Sequence, residues 1–287
     1  MYAGFITSKR VVKRVGLHQR LDVAAYHMIG SYLPPGSFPT LKQVLHFEGY
    51  NGPDGLNTKV GLRPKGLPAR DDEAGEVSYG PNPNHQYDPV SDSGAIPERI
   101  ASHYGALVHT LLAGDMIRSA FESAWLAHYV CDGLTPAHHF PLEQKIAEAA
   151  ELAAEDVKAG DTSKVSALLK KNWTIWGAKG HMTTHMNFEM GIAFALLIFP
   201  IKAEFSEHEL VRARELGPVE YFKAEARAVA ALGLYNRFYE HGWTNDLAVT
   251  VKNRLAPQVA RAIGTIWLLA LLEAGQKLVT DVAQAPV

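Results

Sequence analysis

The chain has 287 residues, of which 47% are hydrophobic and 20% charged, and a formal net charge of −2. That is apolar material for one large domain with a sizeable core, or for two small ones. The near-neutral balance and the lack of a long Lys/Arg run argue against a nucleic-acid tract; the one short basic patch, Lys9, Arg10, Lys13 and Arg14, reads as a solvated helix face.

A single cysteine, Cys131, leaves no intrachain disulfide and fits a reducing compartment. Next to Asp132 it reads as a small core residue. The first apolar residues are interrupted by Ser8, Lys9, Arg10, Lys13 and Arg14, so no signal-peptide pattern opens the chain. The longest apolar runs, 193–201 and 263–272, are too short to span a bilayer. The expectation is a soluble protein, cytoplasmic by default.

Residues 11–33 predict a helix, with Val15, Leu21, Ala24, Ala25, Met28 and Ile29 as an apolar stripe and His18 and His27 on it. Pro34, Pro35 and Gly36 stop it. A short helix fits 39–49. Residues 50–97 read as loop, since Gly and Pro recur and no periodic apolar run appears. A loop of that length inside a compact domain is usually functional; this one carries Asp71, Asp72 and the segment N-H-Q-Y-D-P at 84–89. Helices follow at 98–112 and 116–134, divided by Gly114 and Asp115. Residues 143–171 read as one or two exposed helices and 173–180 as a connection. Three more helices are expected at 181–200, 218–241 and 255–278. No strand alternation and no repeat occurs, so the expected class is all-α, with 1–287 as one domain.

The stretch W-L-A-H-Y-V-C-D-G-L-T-P-A-H-H-F at 125–140 carries the chemistry. His128 and Asp132 stand four apart, on one helix face. Pro136 disfavours helix at Thr135, which leaves His138 on the exit loop. His181, His185 and Glu189 again recur at intervals of four, and H-x-x-x-H and H-x-x-x-E are both chelating pairs. Each cluster taken alone also fits a packed helix whose His and acid satisfy each other. Together, and with His18 and His85 available, they point to metal. A set of His and carboxylates without a needed thiolate suits zinc in a hydrolytic site, and the number of ligands suits more than one ion.

The motif H-Y-V-C-D-G-L-T-P-A-H-H resembles the H-Y-x-x-D-x-x-x-P-x-H of the bacterial zinc-dependent phospholipase C enzymes. H-Q-Y-D-P at 85–89, H-x-x-x-E at His185 and Glu189, His18 on an N-terminal helix, the run 104–132 and the last helix through Trp267 extend the resemblance over most of the chain. It implies the all-α multi-helix bundle shared by those phospholipases and the related zinc nucleases, and two to three Zn2+ ions. One zinc would be held by Asp71, His85, His128 and Asp132. A second would be held by His138, His185 and Glu189. A third would use His18 and share Asp132 as a bridging carboxylate. Asp71 keeps the family's spacing to His85, with Asp72 as the alternative, and Asp71 would also act as base.

The chain departs from that family in three places. The N-terminal tryptophan that completes the family's third zinc site falls near Phe5 here, with residues before it. The choline-pocket aromatics fall at Asp72 and Asn82, which removes that route to a cation–π cage. An insertion, about 142–180, separates His138 from His185.

The resemblance implies a zinc-dependent phosphodiesterase acting on a phospholipid or related phosphate ester, with peripheral membrane contact but no stable nucleic-acid partner. A second reading is a single-strand nuclease or 3′-nucleotidase of the same architecture. Those enzymes have Asp where this chain has Glu189. A third is a non-catalytic relative that keeps the metal, motivated by the missing tryptophan.

Overall fold

The computed structural model describes residues 16–48, 52–53, 85–160, 162–197 and 200–278. Helix α1 (Leu17–Ile29) opens it, with the Gly16 N–H donating to the Gln19 side chain at 2.9 Å. A 3₁₀ turn (Gly30–Tyr32) follows. Helix α2 (Leu41–Phe47) starts on a capping box, Thr40 accepting from the Gln43 N–H and donating its own N–H to the Gln43 side chain. These caps satisfy first-turn N–H groups that would otherwise lack partners.

Two antiparallel two-residue strands, β1 (Tyr87–Asp88) and β2 (Ser93–Gly94), form a small hairpin where the sequence predicts only loop. Helix α3 (Ile96–Leu112) pairs closely with α4 (Met116–Gly133). Asp115 caps α4 by accepting from the Arg118 N–H at 3.0 Å. Residues 118–133 of α4 are all buried, so α4 lies in the interior on every side. The helix stops just short of the expected end, and Pro136–His139 forms a separate 3₁₀ turn.

Helices α5 (Leu142–Lys158) and α6 (Lys164–Trp176) make a hairpin. Helix α6 runs through Trp173 to Trp176, where a connection is expected from the sequence. Helix α7 (His181–Leu196) follows. The helix expected over 218–241 is two, α9 (Pro218–Ala230) and α10 (Leu234–His241), because Gly233 takes a left-handed φ of 60° between them. Helices α8 (Glu207–Leu216) and α11 (Asn245–Thr250) fall on stretches with no sequence expectation.

A π turn (Val251–Leu255) joins α11 to α12 (Ala256–Glu273). The continuous segment Asn245–Glu273 is long and apolar enough to cross a membrane, unlike the shorter run seen in sequence, but most of it is buried inside the protein. Its apolar side chains pack with those of α1, α3, α4, α7 and α9 in one hydrophobic cluster. Gly264 lets α1 and α12 approach: a Cβ there would come within 2.5 Å of the Met28 methyl. The Trp267 indole N–H donates to the Ser123 carbonyl at 3.0 Å and joins α12 to α4. The class is all-α.

Candidate metal centre

In the interior position of α4 a charged side chain is costly unless it is paired. Asp132 meets imidazoles from four segments. Its Oδ1 lies 3.3 Å from His18 Nε2 of α1 and 3.4 Å from His138 Nε2 of the 3₁₀ turn. Its Oδ2 lies 2.7 Å from His85 Nδ1 and 3.2 Å from His128 Nε2. The ring nitrogens of His128 and His85 are themselves 3.4 Å apart. The rings of His18 and His128 stack in parallel, 4.2 Å between centroids and 8° between planes. Buried carboxylate and imidazoles thus converge on one centre.

The second cluster is built on α7. Glu189 Oε1 is 3.0 Å from His185 Nε2 and 3.0 Å from His138 Nε2. His138 therefore stands between the two carboxylates. Its Nδ1–H donates to the His85 backbone carbonyl, which leaves Nε2 facing Asp132 and Glu189.

Three sets of donor atoms, each within 4.8 Å of one another, can hold a metal ion: His85, His128 and Asp132; His138, His185 and Glu189; His18, Glu48 and His128. Seven of the eight ligands expected from the sequence are in the described structure and join these clusters. Asp71, expected both as ligand and as base, lies outside the described residues, as do Asp72 and Asn82.

Glu48, just past the end of α2, was not among the sequence candidates. Its Oε1 accepts from His128 Nδ1–H at 2.9 Å and lies 4.0 Å from His18 Nδ1, while its Oε2 is buried without a hydrogen bond among the described residues. A carboxylate behind an imidazole orients the ring and raises the basicity of the other nitrogen. Asp22, one turn beyond His18 on α1, is buried close by. No motif marks either residue; only the i, i+4 spacing of His18 and Asp22 was readable. Glu48→Ala is expected to weaken metal binding by about 10–100-fold, measured by competition with a chelating dye, while Glu48→Gln, which keeps an acceptor, falls between it and the parent.

The electrostatics suit a cation. Burial alone would raise the Asp132 pKa, but the His138 and His128 imidazoles hold it well below the usual carboxylate range. Glu189 is likewise kept low against burial by His185 and His138. Asp22 goes the other way, pushed well up by burial and by Glu48. Burial pushes His138 down, against the opposing pull of Asp132. The Cys131 thiol is buried and pushed well above its usual value by burial and by Asp132, so it stays protonated.

His181 lies off the centre, its ring against Phe140 at 5.5 Å between centroids and partly exposed. His139 turns away and donates from Nε2 to the Gly133 carbonyl at 2.8 Å. No protein-family model, curated protein or solved structure matches this chain.

Proposed function

We propose that this chain is a zinc-dependent phosphodiesterase of the phospholipase C and zinc nuclease architecture, hydrolysing a phospholipid or related phosphate ester. The observation that carries the reading is Asp132, a buried carboxylate whose two oxygens face different imidazole pairs. That is how a bridging carboxylate presents itself to neighbouring ions. Zinc bonds of about 2.0–2.1 Å at tetrahedral angles separate ligand atoms by about 3.3 Å. Two of the three spacings among His85, His128 and Asp132, 3.4 and 3.2 Å, are close to that, while His85 Nδ1 and Asp132 Oδ2 are at hydrogen-bond distance, 2.7 Å; the donor set of imidazoles and carboxylates fits the ion.

His85, His128 and Asp132 would hold one zinc, His138, His185 and Glu189 a second, and His18 with Asp132 a third. Bound zinc supplies Lewis-acid stabilisation of phosphate oxygens and makes water a nucleophile at neutral pH. The residues do the positioning. Glu48 holds the tautomer of His128, and the His85 carbonyl holds that of His138. Asp71, placed at the first zinc by the resemblance, would accept the proton of the attacking water. Glu189, where the nucleases have Asp, favours the phospholipase side.

The test combines a metal count with a substrate panel. After gentle dialysis at least two zinc ions per chain are expected, one for each separate cluster. The zinc-loaded protein is then assayed on phosphatidylcholine, phosphatidylethanolamine, an uncharged diester and single-stranded DNA. The lipids are expected to turn over with a choline preference below about tenfold, or 1.4 kcal/mol of transition-state discrimination, since Asp72 and Asn82 offer no aromatic cage. Less than one metal per chain, or no turnover of any diester, overturns the reading. Faster cleavage of DNA than of lipid assigns the site to the nucleases.

A further inference from the structure

Tyr235 stands where the two segments that carry the second donor cluster meet. His138 lies on the 3₁₀ turn, His185 and Glu189 lie on α7, and α10 packs against both elements. The Tyr235 ring meets Phe188, the neighbour of Glu189, edge-on at 5.2 Å between centroids. It meets Phe140, just past His138, at 5.9 Å. Helix α10 is seated by Leu234 and Phe238, which are buried one turn apart. Trp243 then fastens the chain after α10 to α7: its ring stacks on Phe188 at 5.5 Å, and its Nε1–H donates to the Asn187 carbonyl at 3.1 Å. Gly191 makes room for that indole, since a Cβ there would collide with the Trp243 ring. Packing on both sides therefore fixes where Tyr235 sits.

Its hydroxyl is the part that packing leaves over. The side chain is half-buried, yet the hydroxyl has no hydrogen-bond partner among the described residues. A tyrosine in such a setting normally finds one. Tyr26, Tyr87, Tyr104 and Tyr221 do, donating to the Pro39 carbonyl, Asp92, Glu273 and Glu209. Burial pushes the Tyr235 phenol above its usual value, and the Glu189 carboxylate pushes it the same way, so that carboxylate is within electrostatic reach of the hydroxyl. A neutral phenol has a hydrogen to donate. The cluster beside it offers three protein donors, His138, His185 and Glu189. A zinc held by three side chains keeps a position open for water or substrate.

We propose that Tyr235 is a substrate-binding residue, whose O–H donates to a non-bridging oxygen of a phosphate group held at the cluster of His138, His185 and Glu189. The proposal rests on reading that cluster as a zinc site. Phosphate oxygens carry charge, and a hydrogen bond to a charged acceptor is roughly twice as strong as one between neutral groups. A donor already in place when the substrate arrives costs no reorganisation. The other ring donors nearby are engaged elsewhere: His139 is held by the Gly133 carbonyl, and the His181 ring packs on Phe140. Tyr239, one turn further along α10 and 51% exposed, supplies the comparison.

The experiment is calorimetric titration of inorganic phosphate into the zinc-loaded full chain, its metal-free form, and the zinc-loaded variants Tyr235→Phe and Tyr239→Phe. Phosphate is expected to bind the zinc-loaded parent and not the metal-free form. Tyr235→Phe is expected to weaken that binding by about ten- to a hundredfold, the size of a lost hydrogen bond to a charged group. Zinc content and melting temperature are expected to stay, because the variant keeps the ring that packs on Phe140 and Phe188. Tyr239→Phe is expected to change the affinity by less than about threefold. On a soluble diester Tyr235→Phe is expected to lower kcat/KM by at least about tenfold. Unchanged phosphate affinity after Tyr235→Phe, equal weakening by Tyr239→Phe, zinc lost with Tyr235→Phe, or phosphate binding that does not depend on zinc overturns the proposal. A protein that binds phosphate through Tyr235 but cleaves no diester refutes the phosphodiesterase reading alone. One that cleaves a soluble diester as fast after Tyr235→Phe as before refutes this proposal alone, and a chain that takes up no zinc refutes both.

Discussion

Asp132→Asn is expected to lower diester hydrolysis by about a thousandfold, or about 4 kcal/mol of transition-state stabilisation, and to reduce the metal bound per chain. The substitution keeps the volume of the side chain, so packing around α4 is spared. What it removes is the negative charge that faces His18, His85, His128 and His138. It also puts amide hydrogens where one pair of imidazole nitrogens needs an acceptor or a cation. His139→Ala is the comparison, because His139 contacts the Gly133 carbonyl and belongs to none of the donor groups. Burial pushes the His139 pKa down to about 4, so it is neutral at pH 7 and adds no charge to the centre. Elemental analysis and turnover on a soluble diester are measured for both variants. Equal losses would mean that Asp132 is not the carboxylate the ions share.

The next largest effect is expected at Glu189, and it separates two chelating pairs on the same helix. His181, His185 and Glu189 are spaced evenly, so both His181 with His185 and His185 with Glu189 are compatible with helical geometry. In the fold His138 lies 3.0 Å from Glu189, and the His181 ring packs on Phe140. Glu189→Gln is expected to lose about one zinc per chain and most activity, at least about a hundredfold. His181→Ala is expected to keep the metal and change turnover by less than about threefold. The opposite outcome, metal lost with His181 and retained with Gln at 189, would make His181 and His185 the binding pair.

How much of this was legible in the sequence follows from what each piece depends on. The helical period is a local property, so the shared faces of His128 with Asp132 and of His185 with Glu189 can be read from spacing alone. Gly114 with Asp115, Pro34 and the apolar run at 263–272 likewise place helix ends and a core helix from local chemistry. The errors were local too. Gly233 takes a left-handed φ that splits one expected helix in two, and Trp173 continues a helix where aromatic and glycine residues suggest a connection. The hairpin at 87–94 is too short to show an alternating pattern.

The union of the two clusters is a different kind of fact. His128 and Glu48 are 80 positions apart, His85 and Asp132 are 47, and His138 and Glu189 are 51. Nothing in the spacing of any one helix states that α1, α2, α4, α7 and the 85–94 hairpin converge. Long-range packing brings them together. Glu48 shows this most clearly, for as a lone acid at a helix end it has no motif and gains meaning only when α2 docks on α4. Helix α6, which leaves Val165, Leu169 and Trp173 exposed, is the converse case. Its sequence is as amphipathic as a core helix, and only the packing of Ala167 and Ile175 reveals which face was left to solvent. By itself the sequence determined the helical class and the metal-type pairs on single faces, because both rest on backbone periodicity. The tertiary structure decided which pairs come together in one group of donors, which acid lies behind them and which apolar face stays uncovered, because each of those depends on how separate helices dock.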